Sequence, residues 1–138
     1  MFQKLFHKSY KKISFEDIQF AIKIPSKYII LNTLPQTDQE YLIKNTVPWM
    51  DEETIINNMI NNYDLDSKHF IIYGKNNMDI NVEPKYNQLT QLGFFNVYIY
   101  SGGLFEWLLL QDIYGKEEFP TTKYTLDILK YKPPRNLL

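Results

Sequence analysis

Short runs of β-branched and aromatic residues alternate with helix-length segments along this chain, and that alternation is its tightest constraint. "YIILN" at 28–32 lies between Pro25 and Pro35, "HFIIY" covers 69–73, and "NVYIYS" runs from Asn96 into Gly102-Gly103. Each run has the length and composition of a buried strand. The segments between them read as helices. "FEDIQFAI" has helical spacing at Phe15, Ile18 and Ile22, with Ser14 to cap it and Asp17 three residues on. "DEETIINNMINN" opens with three acids and places Ile55, Ile56, Met59 and Ile60 on one side, leaving its asparagines on a solvated face. Asn81 is placed to cap a helix over 82–92 that Gly93 ends, and Gly115 ends a helix from "LFEWLLLQDIY". A last helix is expected from Thr121 or Thr122 through "KYTLDILKYK", stopped by Pro133-Pro134. Strands joined through helices pair in parallel, so the pattern predicts one α/β domain with helices on both faces of a parallel sheet.

Composition narrows the chemistry. The chain contains no cysteine, which removes disulfides, thiolate metal sites and every cysteine-based covalent mechanism. Its two histidines, His7 and His69, are far apart, and neither has the neighbours of a metal site or a catalytic triad. No metal or cofactor is expected. A net charge of −1 supplies no field that would draw the chain onto nucleic acid. No run approaches the ~18 apolar residues of a membrane span. The basic start, "MFQKLFHKSYKK", lacks the apolar stretch and cleavage site of a signal peptide and reads as a solvated arm. These features predict an intracellular, soluble protein.

The stretch "LGFFNVYIYSGGLFEW" carries a recognisable pattern in Gly93, Phe94, Val97, Gly102, Gly103 and Trp107. "NTVPWM" supplies a bend through Val47 and Pro48, and "IIYG" ends a strand just before a turn-rich loop. In this order and spacing the features resemble a rhodanese-like domain. The resemblance implies a three-layer α/β/α fold with a mainly parallel five-stranded sheet. It divides the chain into a basic arm at 1–12, the domain at 13–132 and a tail at 133–138. The segment beyond Gly115 is similar to that of small stand-alone rhodanese-like proteins of large DNA viruses and protists, which would make a virion-associated role an option.

The departures from the family pattern bear on function. Asn32 and Leu34 stand where the family carries Asp and Arg at a strand end. The family cysteine falls on Gly74 when aligned from the strand, or on Asn76 when aligned from the following helix. The resemblance implies that this cysteine carries sulfur as a persulfide, held by loop amides and a helix N-terminus. Neither Gly nor Asn is a nucleophile, so no catalytic residue is expected.

The degenerate loop is Gly74, Lys75, Asn76, Asn77, Met78, Asp79 and Ile80. Lys75, Asn76, Asn77, Trp49 and Trp107 are its candidate anion or partner contacts, with Asp79 and Glu83 opposing an anion. The main expectation is a non-enzymatic binding module with a protein partner and at most weak anion binding. The alternatives are a sulfurtransferase-related enzyme or subunit that borrows a partner's cysteine, and a structural assembly component.

Overall fold

Three strands of aliphatic and aromatic residues make up most of the sheet, and each side of it is sealed by helices. The computed structural model describes residues 9–137. Strands β1 (Lys12–Ile13), β2 (Tyr28–Asn32), β3 (His69–Tyr73) and β4 (Val97–Tyr100) form one sheet in the order β1-β4-β3-β2. All three pairings are parallel, with Ile30 opposite Ile71 and Ile72 opposite Ile99. Helices α1 (Phe15–Ile22), α2 (Glu52–Asn61) and α3 (Val82–Gln91) make the connections, and α4 (Gly103–Tyr114) follows β4.

Period-two alternation divides the strands between two cores. Ile30, Ile71, Tyr73 and Tyr100 face α1 and α4, where they meet Ile18, Ala21, Leu104, Trp107 and Leu108. Ile29, Leu31, Phe70, Ile72, Val97 and Ile99 face α2 and α3, where they meet Ile56, Met59, Val82, Tyr86 and Leu89. This is the expected three-layer α/β/α sandwich, and it explains why the strands read as continuous apolar runs.

Among the described residues the sheet has four strands rather than the expected five. A fifth position survives only as a parallel bridge between Ile30 and Thr46, with the Val47 N–H donating to Ile30 O at 2.8 Å. Asn45 has a left-handed φ of 68° and Pro48 carries no N–H, so the ladder cannot extend in either direction. The chain instead turns at Pro48 into a 3-10 helix over Trp49–Asp51 that leads into α2. Lys12 pairs in β1, so the basic segment ends inside the sheet. The first eight residues, including His7, lie outside the described residues.

The expected final helix is also replaced. Residues 120–122 run beside 42–44 in extended backbone: Ile43 bridges Thr121, the Thr122 N–H donates to Leu42 O, and the Leu42 N–H donates to the Thr122 hydroxyl. Only Ile128–Tyr131 is helical, and as a 3-10 turn. Tertiary pairing overrides the helical periodicity here, because the segment must reach the ring position of Tyr131, which is wholly buried in the core with α4. Tyr131→Ala should therefore cost about 3–5 kcal/mol, the usual loss for an aromatic removed from a core. Urea denaturation measures it; a loss below about 1 kcal/mol would mean that the C-terminal segment is not part of the cooperative unit.

Candidate functional site

The strand-to-helix turn after β3 stands at the C-terminal end of a central strand, where open α/β sheets place their ligands. Asn76 is buried and shapes the turn. Its side-chain oxygen accepts from the Met78 N–H at 2.8 Å, and its amide donates to Tyr131 O at 3.0 Å. Asp79 makes a second turn of the same kind, accepting from the Asn81 N–H at 2.9 Å through Oδ1. Its other oxygen, Oδ2, accepts from the Lys75 N–H at 2.9 Å and from the Thr33 hydroxyl at 3.1 Å. The Asp79 carboxylate thus draws together the end of β2, the start of the loop and the entry to α3. Asn81 occupies the N-cap position of α3, but its side chain makes no capping bond, contrary to the sequence expectation.

Gly74 has no side chain where Asp79 lies. A Cβ on residue 74 would fall inside contact distance of Asp79 Oδ2 and only 2.7 Å from its Cβ and Cγ. Gly103 has a φ of +67°, and a Cβ there would stand 2.8 Å from Gly74 O and 3.0 Å from Asn76 N. Its absence lets α4 approach the loop end-on. The Leu104 N–H donates to Gly74 O and the Phe105 N–H to Lys75 O, both at 2.9 Å. The Gly102-Gly103 turn therefore docks the free N–H groups of a helix start onto the loop.

A cavity of about 230 Å³ opens beside this loop, lined by Lys12, Asn77, Asp79, Glu83, Tyr100 and Ser101 among others. Burial first, and the Glu106 carboxylate second, push the Tyr100 phenol well above its ordinary range, so it stays neutral near pH 7. Burial does the same to Tyr73, whose hydroxyl bonds Thr46 at 2.8 Å and accepts from the Ile43 N–H at 3.1 Å. These phenols hold structure and are not poised to exchange protons. Among the described residues, no three His, Asp or Glu side chains converge where a metal could bind.

The remaining sequence candidates scatter. Trp107 is fully buried, packed edge-on against Tyr100 and Phe119, and its indole N–H donates to Pro120 O at 3.1 Å. It is core and cannot meet a partner, which corrects the sequence expectation. Trp49 is 39% exposed and its neighbour Met50 is 65% exposed. In the loop, Asn77, Met78 and Ile80 face solvent and Lys75 is half-buried. His69 sits at the opposite end of β3, stacked on Tyr98 and beside Tyr28. Asn32 and Gln39 bond each other through their side chains, and Leu34 is buried, so the family's strand-end Asp and Arg are replaced by an uncharged turn. Sequence reading placed Asp79 at the loop mouth but missed its partners. The available signal was the pair Asn76 and Asp79, each a residue type that accepts from an N–H two positions on.

Gly103→Ala should destabilise the chain by about 2 kcal/mol or more, combining left-handed strain with a backbone clash. Its amide shift changes should centre on Gly74–Asn76. Shift changes confined to α4 would show that the helix start does not brace the loop.

The sequence model of the rhodanese-like domain family matches residues 18–110, more than half of the chain. Among solved structures, the chain is similar to a protein from Lactobacillus plantarum, with a TM-score of 0.55 and 20% identity over 72% of this chain and 83% of that one. It is similar also to a protein from Anabaena sp., with a TM-score of 0.55 and 17% identity over 86% of this chain and 97% of that one. At these identities the likeness is one of fold. No curated protein matches the chain. With its strand-bend-strand order, its loop after β3 and the Gly-Gly turn that docks on that loop, the chain belongs to the rhodanese-like domain family, and it does so without a cysteine anywhere in its sequence.

Proposed function

We propose that this chain is a non-catalytic rhodanese-like domain that works as a protein-binding module. Without cysteine it cannot carry a persulfide on itself, and no other side chain in the loop replaces that nucleophile. The observation that supports binding is the surface at the start of α2. Trp49 and Met50 stand exposed side by side on a short 3-10 turn, at the edge of a cavity of about 410 Å³ that also includes Leu42, Thr46 and Pro48. Large adaptable apolar side chains on a rigid turn are typical anchors of protein interfaces. Lys123 and Glu40, ion-paired at 3.1 Å, form a polar rim to the same cavity.

Two measurements test this reading. The pure chain should produce no thiocyanate from thiosulfate and cyanide above the uncatalysed background; saturable turnover would overturn it. A photo-crosslinker at position 50 should give discrete adducts in extract of the source cell. Trp49→Ala should abolish them while near-ultraviolet circular dichroism stays native. The same adducts from a crosslinker at Asn58, on the solvated face of α2, would remove Trp49 and Met50 from the contact surface.

A further inference from the structure

Three donors around the 74–81 loop converge on an anion that belongs to the chain. The Lys75 N–H and the Thr33 hydroxyl point at Asp79 Oδ2, and the Asn81 N–H points at Oδ1. The three donors come from the end of β2, the start of the loop and the entry to α3. No single turn would bring them together; the sheet and the docking of α4 do so. The carboxylate also fills the volume above Gly74, since its Cβ and Cγ lie 2.7 Å from where a residue-74 Cβ would stand. It forms part of the wall of the 230 Å³ cavity, so the donors it engages face it instead of that space. The Met78 and Asp79 N–H groups are taken as well, by the side chain and the carbonyl of Asn76.

We infer that Asp79 is an internal plug: its carboxylate takes the Lys75, Asn81 and Thr33 donors and the volume beside Gly74, so the native loop is closed there to external oxyanions and opens to them only when that carboxylate is removed. Two physical arguments carry this. An acceptor tethered four residues from its donor loses little freedom on binding, whereas a free ion loses its translational freedom and most of its hydration. A free oxyanion would also have to approach Asp79 and Glu83, both on the cavity wall, with Lys12 the sole cation among the described residues that line it. Removing Asp79 frees the donors and leaves Lys12 facing Glu83 alone. The inference does not depend on the proposed binding role of Trp49 and Met50.

The test is amide NMR of nitrogen-labelled native chain, Asp79→Ser and Asp79→Asn, each titrated with thiosulfate and then inorganic phosphate, with chloride as the ionic-strength control. Asp79→Ser should show saturable shifts at Lys75, Asn81 and Thr33, with an affinity at least about tenfold above that of the native chain, a difference of about 1.4 kcal/mol. The native chain should be silent at those amides. Equal shifts in the native chain, or a folded Asp79→Ser spectrum that stays silent in the loop, would overturn the inference. Asp79→Asn keeps the shape and removes the charge, so it covers the case in which the serine variant does not fold. Lys75 and Asn81 amides should then exchange about tenfold faster, because charge-assisted bonds are the stronger kind, while Met78, held by Asn76, is unchanged. Unchanged exchange at Lys75 and Asn81 would mean that the carboxylate does not hold the loop.

Discussion

The close approach of α4 to the 74–81 loop is the contact on which the rest of the site depends. A helix start has N–H groups with no partner in the helix, and a turn after a strand has carbonyls with no partner in the sheet. Here the two deficits cancel, as Leu104 and Phe105 donate to the carbonyls of Gly74 and Lys75. The exchange is only feasible because Gly103 accepts a left-handed conformation and presents no Cβ to the loop backbone. With the carbonyls held from one side, the Asp79 carboxylate receives the Lys75 and Asn81 N–H groups, and Asn76 receives those of Met78 and Asp79.

That arrangement explains how a loop with no nucleophile keeps a defined shape. Every element around it is fastened by a polar contact of its own: β2 through Thr33, α3 through Asn81 and the C-terminal segment through Asn76 and Tyr131 O. An ionised acceptor makes the stronger class of hydrogen bond, and one carboxylate serving donors from separate elements works as a local cross-link. The loop belongs with the structural parts of the molecule. Its exposed members, Asn77, Met78 and Ile80, point outward from a turn held from beneath.

The C-terminal segment adds to the same support. It lies beyond the stretch matched by the family, yet it supplies Phe119 and Tyr131 to the core and accepts bonds from Trp107 and Gln111. It also pairs with 42–44, which fixes the approach to the Pro48 bend and so the position of Trp49. The exposed Trp49 and Met50 and the closed loop therefore share one rigid frame. The Glu52–Lys85 pair at 2.8 Å then ties α2 to α3 across the opposite face.

What the sequence determined by itself was local. Three apolar runs became β2, β3 and β4, the amphipathic periods of 15–22 and 52–61 became helices because each has a single way to bury its apolar face, and a helix formed at 82–91 before Gly93. The missing cysteine and the glycine pair at 102–103 were equally legible. Tertiary structure decided everything that required two distant segments to meet. The expected last helix gave way to extended pairing because residues 42–44 offered it hydrogen bonds, and the fifth strand shrank to a bridge because Asn45 and Pro48 left no ladder to extend. Trp49 and Trp107 are alike in a one-dimensional reading; folding buried one and exposed the other. Asp79 reads as a charge opposed to anions. Only convergence of β2, the loop and α3 made it the anion itself, since a carboxylate's role is set by the donors within reach, and those donors lie as far as 46 residues away in sequence.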